Sequence, residues 1–242
     1  MKLLLLAFVF CFSLSAQFGP VLGSAGAKAY GVSIPTQVQK KTYASSSSST
    51  THNVVFDAAP INGNLLILTV VSNTTATTPS GWTLAASAID RTGTYVYYKT
   101  AGASESATVA ITISASDSCL LTAFEYSGMA ASSQLDKTAT AVDEGVGDVI
   151  NTGTTATTAQ ASELLIAVVG LSAPGQPTSN VTGWNNSFVT ESTLHSSGSA
   201  DVASGTASKI VSATGAYSAQ AAFINPGAEL NQSGIIATFK GQ

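Results

Sequence analysis

Two stretches of this chain repeat one another. Gly63-Asn64-Leu65-Leu66-Ile67-Leu68-Thr69-Val70-Val71 is matched by Ser162-Glu163-Leu164-Leu165-Ile166-Ala167-Val168-Val169, and each is followed by a loop and a Gly-Trp pair, Gly81-Trp82 and then Gly183-Trp184. Each half closes on one more apolar run, Leu120-Leu121-Thr122-Ala123-Phe124 against Ile235-Ile236-Ala237-Thr238-Phe239, with Gly128 and Gly241 just beyond. A period of about 100 residues is longer than any solenoid unit, so it marks a duplicated half-domain. The runs are short, rich in Val, Ile, Leu, Thr and Tyr, and separated by Gly, Asn, Ser and Pro, with no sustained 3.6-residue period. The reading is all-β. Roughly ten to twelve strands are too many for one strongly twisted open sheet, so the expected fold is a two-layer antiparallel β-sandwich, jelly-roll-like, made of two related halves.

The boundaries follow from composition. Residues 1–16 read as a signal peptide, with Lys2 as a minimal positive region ahead of the apolar run 3–14, which is shorter than the ~20 residues a bilayer span takes. Cleavage after Ala16 would place the mature protein outside the cell, secreted or surface-associated, with no membrane contact thereafter. Residues 17–52, ending in the low-complexity run 45–51, read as a flexible Ser-rich leader. The sandwich is assigned to 53–242, with half-repeats at about 53–128 and 150–242 and a linker at 129–149. With the signal removed, Cys119 is the remaining cysteine, within Cys119-Leu120-Leu121, and reads as a buried small hydrophobe.

Charged residues make up 9% of the chain, against about 25% in ordinary soluble domains. The surface must then be Ser, Thr, Ala, Gly and Asn, which hydrogen-bond water but repel neighbours weakly. With a net charge of -4 and Arg91 as the sole arginine, no basic patch exists for phosphates, and nucleic acid is excluded as a partner.

On Gly63 to Val71, Pro79-Ser80-Gly81-Trp82-Thr83-Leu84, Tyr97-Tyr98-Lys99 and Leu121-Thr122-Ala123-Phe124-Glu125-Tyr126-Ser127-Gly128, the chain resembles a duplicated β-sandwich module of about 200 residues found in bacterial surface proteins and phage-associated proteins. The resemblance covers about residues 52–241 and rests on strand and turn patterns, so it implies a fold and no activity. The second half departs from it at Ala203-Ser204-Gly205, where a tyrosine-rich strand is expected.

Chemistry is sparse. No Gly-x-Ser-x-Gly elbow occurs, and His52 and His195, the two histidines, read as exposed loop residues. Asp143, Glu144 and Asp148 form a glycine-bearing acidic stretch that offers calcium three carboxylates, although the spacing fits no EF-hand. Asp57, Asp90, Glu125, Glu191 and Asp201 are the carboxylates that a glycosidase pair would draw on. Tyr95, Tyr97 and Tyr126 are candidate sugar-stacking rings, with strand alternation placing Tyr95 and Tyr97 opposite Tyr98; Trp82 and Trp184, at equivalent positions of the repeat, read as packing residues. Asn73, Asn180, Asn185 and Asn231 fit the N-glycosylation pattern. No cofactor is implied.

The functional expectation is a non-enzymatic structural or adhesive module of a cell surface, appendage or virion-associated assembly. A carbohydrate-binding module is the alternative, with surface glycans as partners, and a secreted hydrolase is the weaker one. Residues 65–71, 164–169 and 235–239 do not alternate, so both faces of these strands need cover. The leader and linker are poor in large apolar residues, which favours self-association through the sheet faces over intramolecular cover.

Overall fold

A computed structural model describes residues 33–143, 149–172, 180–196, 202–224 and 231–242. The signal segment 1–16 lies outside the described residues. Sixteen strands run through the described residues: β1 (Thr36–Ala44), β2 (Ser49–Val55), β3 (Leu65–Ser72), β4 (Ala76–Thr77), β5 (Thr83–Ile89), β6 (Gly93–Thr100), β7 (Thr108–Asp117) and β8 (Cys119–Ser127) in the first half, then β9 (Leu135–Asp143), β10 (Val149–Thr154), β11 (Ser162–Ser172), β12 (Asn180–Trp184), β13 (Val189–His195), β14 (Val202–Ser212), β15 (Ser218–Ile224) and β16 (Asn231–Lys240) in the second.

The chain forms the expected all-β antiparallel fold of two related halves, and the duplication is complete. The first half pairs as a five-stranded sheet β1-β8-β3-β6-β5 and a three-stranded sheet β2-β7-β4; the second repeats both orders eight strands later, as β9-β16-β11-β14-β13 and β10-β15-β12. The 1-8-3-6 and 2-7-4 orders are those of a jelly roll whose fifth strand has moved to the edge of the larger sheet. β3 and β11, the strands first matched in sequence, are the central strands of their sheets.

Each half is therefore a two-layer sandwich of its own, and the five-stranded sheets stack face to face. Leu65, Ile67 and Val71 of β3 share one core with Leu164, Ile166 and Val168 of β11 and with Phe124, Ile235 and Phe239. The opposite faces pack outward: Leu66, Leu68 and Val70 against Val54, Val109 and Ile111, and Leu165, Ala167, Val169 and Leu171 against Ile150, Ala219, Ala221 and Phe223. The result is four layers of three, five, five and three strands. β5 lies over β9 and β16, β6 over β16 and β11, β3 over β11 and β14, β8 over β14 and β13, and β1 over β13. Replacing each strand by its counterpart returns the same set of contacts, the property of a two-fold isologous interface.

This arrangement corrects two expectations. The unalternating strands are indeed covered on both faces, but the cover is the other half of the same chain, not a neighbouring molecule. Burying a Leu, Ile or Val contributes about 1.5–3 kcal/mol each, so the two sheets gain far more from one another than a serine-rich leader could supply. The leader 17–52 and linker 129–149 are also shorter than expected, because β1 and β2 occupy 36–55 and β9 occupies 135–143. β2 alternates, with His52 and Val54 inward and Thr51, Asn53 and Val55 outward, so its polar composition is that of an outer strand and not of a free arm.

The contact between the halves is partly polar. Thr94 and Ser233 hydroxyls lie 2.6 Å apart, Thr122 and Ser192 2.8 Å, and Thr69 and Thr206 3.3 Å. Lys40 of β1 pairs with Glu191 of β13 at 2.8 Å. Gly170 lets the sheets approach: a Cβ there would stand 2.7 Å from Val71 Cγ1 and closer still to Thr94 Oγ1.

Candidate functional site

The tyrosines expected to stack on sugars lie within the cores. Tyr95, Tyr97 and Tyr126 are 3%, 1% and 2% exposed. Tyr95 and Tyr97 stack on one another at 6.0 Å in the first half's outer core, while Tyr98 faces the other way against Phe239, as alternation requires. Burial, and then the neighbouring Tyr95, raises the Tyr97 phenol; burial, and then the Glu191 charge, raises Tyr126, whose hydroxyl donates to Gln37 Oε1 at 3.2 Å. A ring enclosed in this way presents no face to a ligand. The acidic stretch is not described in full: Glu144 and Asp148 lie outside the described residues, and for Asp143 only the backbone, at the end of β9, is described. Among the described residues no group of three His, Cys, Asp or Glu side chains could hold a metal ion.

His52, Asp57, Glu125 and Glu191 are likewise held by local partners, whereas His195 Nε2 and Asp90 Oδ2 are buried with no hydrogen-bond partner among the described residues. His52 is a buried strand residue, 3.3 Å from the Tyr43 hydroxyl and 3.0 Å from the Ser49 carbonyl, and His195 ends β13. Asp57 pairs with Lys41 at 2.7 Å. Glu125 is buried and accepts from Gln39, the Ile61 N–H and Asn64. Asp201 lies outside the described residues. Cys119 is buried, and burial followed by the Asp117 charge pushes its thiol up to about 12, so it is no nucleophile at neutral pH.

One carboxyl pair was missed in sequence. Glu163 of β11 is fully buried beside Asp136 of β9 and the Thr238 hydroxyl. Burial and then the Asp136 charge push it up to about 7, against the opposing Thr238 hydroxyl. Burial would raise Asp136 too, but the Ala159 N–H at 2.6 Å and Lys137 outweigh it and hold that carboxyl low. Carboxyls driven apart in this way are the signature of acid–base pairs. Here Glu163 is sealed from solvent, so the pair is a feature of the fold.

The open concavity of interest is on the outward face of the sheet β10-β15-β12. Gly183 and Ala222 form its floor, paired in register, and Val149, Thr182, Trp184, Asn185 and Gln220 surround them, enclosing about 420 Å³. No atom lies within 4 Å of where a Gly183 Cβ would stand. Along its side runs a chain of amides: Gln220 Nε2 donates to Asn151 Oδ1 at 2.6 Å, Asn185 Nδ2 donates to Gln220 Oε1 at 2.8 Å, and the Gln220 N–H donates to Asn185 Oδ1 at 2.8 Å. Trp184 is half-buried, packs on Phe188 at 6.5 Å, and has an indole N–H without an acceptor among the described residues.

A second hollow of about 370 Å³ continues along β15, between Asn186, Phe188, Lys209 and Tyr217. The turn between the hollows holds Asn186 and Ser187 at φ of 54° and 60°, and Asn186 Nδ2 anchors it by donating to the Ser218 carbonyl at 2.9 Å. Such left-handed non-glycine residues persist where the surroundings fix them.

The Gly-Trp motif that marked the repeat thus serves differently in the two halves. Trp82 packs on the first half's outer core with Lys99 Nζ 5.9 Å from its ring. In the second half the counterpart of the tyrosine-rich β6 is β14, where Gly205 leaves space that Val181 and Trp184 fill. Compared with known proteins, the chain matches no family model, no curated protein and no solved structure significantly.

Proposed function

We propose that the chain, once exported, acts as a non-enzymatic adhesive module of an extracellular surface, making contact through the outer face of its second half. The observation that carries this reading is the division of the molecule's surfaces. Large apolar faces are stacked inside four layers, while the outer sheet β10-β15-β12 offers a hollow lined by amides, a hydroxyl and a half-buried indole. Pockets of mixed apolar and uncharged polar lining suit recognition, and the acidic pair that reaction chemistry would need is sealed away from it.

The test is to incubate the labelled, secreted protein with intact cells and with the polymers stripped from their surfaces. Retention at micromolar protein, with no change in the size of the polymers, is expected. A protein that washes off every surface, or that shortens the polymers, overturns the proposal.

A further inference from the structure

The hollow over Gly183 has a chemistry that narrows its ligand. Among the described residues its lining holds amides, a threonine hydroxyl, an indole and small aliphatic groups, and no ionisable side chain. A charged ligand would lose hydration there without gaining a partner. In the adjoining hollow the charge among the described residues is Lys209, whose ammonium donates to the Asn186 carbonyl at 2.8 Å and lies 5.8 Å from the Phe188 ring. The fitting ligand is uncharged and dense in hydroxyls.

The amides are also prepared for such a ligand. Each bond in the chain Asn151–Gln220–Asn185 fixes an exposed or half-exposed side chain, yet each amide nitrogen retains at least one N–H and each oxygen a second lone pair. Groups held in place before binding cost less to order when a ligand arrives.

The duplication supplies an internal comparison. The equivalent outer face of β2-β7-β4 has the same pairing order, but its outward residues are Thr51, Asn53, Val55, Thr108, Ala110 and Thr112. Whatever the fold requires is common to the two halves. The amide chain and the glycine floor belong to the second alone, so the fold does not explain them.

We infer that the Gly183 hollow binds a neutral oligosaccharide, gripped by Asn151, Asn185 and Gln220 against the exposed edge of Trp184, with the chain of sugars continuing along β15 into the hollow at Tyr217. The inference rests on the adhesive reading above and specifies its ligand. No bond is made or broken in the sugar.

The experiment uses the full chain from a host that does not N-glycosylate, since Asn185 begins an Asn-Asn-Ser sequon. With Trp82→Phe introduced, Trp184 is the sole indole, and its emission is followed during titration with cello-, xylo-, malto- and laminari-oligosaccharides and with an acidic oligogalacturonate. Saturable binding of at least one neutral series is expected, with the acidic one weaker. Gly183→Val projects a side chain into the hollow from a Cβ with no atom within 4 Å, and Gln220→Ala removes the middle amide; each is expected to weaken binding at least tenfold while thermal unfolding stays unchanged. Ala110→Val on the first half's face is expected to leave binding intact. If Gly183→Val binds as well as its parent, the site is wrong and the adhesive reading stands with its contact elsewhere. If no neutral sugar binds at millimolar concentration, or the acidic one binds best, the ligand class is wrong, and retention on whole cells decides the adhesive reading separately.

Discussion

Glu163 illustrates how a single residue carries a cost that the fold tolerates. Its carboxyl is buried next to Asp136, and its folded value of about 7 lies above the ordinary 4.5. The native state therefore holds this proton more tightly than the unfolded chain. The associated stability is fully present below about pH 4.5 and is lost as pH rises through about 7. Urea midpoints should fall between pH 5 and pH 8, and Glu163→Gln, neutral throughout, should flatten that fall and raise stability at pH 8 by about 1–2 kcal/mol. Gly170 is the converse case, a residue whose absent side chain lets the two central sheets meet. Gly170→Ala sets a methyl against Val71 and Thr94 and should destabilise by about 1–3 kcal/mol in the same denaturation measurement.

At the level of elements, β6 and β14 solve the same packing problem with opposite means. β6 fills its outer core with Tyr95 and Tyr97, whereas β14 places Gly205 and Ala207 there and lets Trp184 and Val181 reach in from β12. A Cβ on Gly205 would collide with Val181, so Gly205→Ala should destabilise by about 1–3 kcal/mol, and the added change Val181→Ala should recover part of that loss in a double-mutant cycle. Additive costs would refute this pairing. The same contrast marks what could be read from sequence. β3, β11, β8 and β16 were legible because strands buried on both faces are continuous apolar runs. β1, β2 and β9 were not, since their outward residues are polar and a serine-rich run joins the first two. Gly183 stands out in sequence as half of a Gly-Trp pair, but the amide chain beside it draws Asn151 from β10, Gln220 from β15 and Asn185 from the turn after β12. Only the register of β10, β15 and β12 brings those residues together.

Across the whole molecule, the two halves share one central core, which predicts that they unfold as a single cooperative unit in spite of their separate sandwiches. Each half contains one tryptophan, so Trp82→Phe and Trp184→Phe variants report on the two halves individually. Their urea transitions should coincide once each variant's own stability is allowed for, by agreement with far-UV circular dichroism on the same sample. A tryptophan transition separated from the dichroism transition would mean that the halves unfold independently. The pseudo-two-fold stacking gives the chain the interface of a symmetric dimer closed within one polypeptide. That closure is why continuous apolar strands, which in a single sandwich would demand a partner molecule, here demand none. The most direct test is sedimentation velocity of the purified protein from about 1 to 100 μM: a monomer throughout the range is predicted, whereas concentration-dependent dimers or larger assemblies would contradict it.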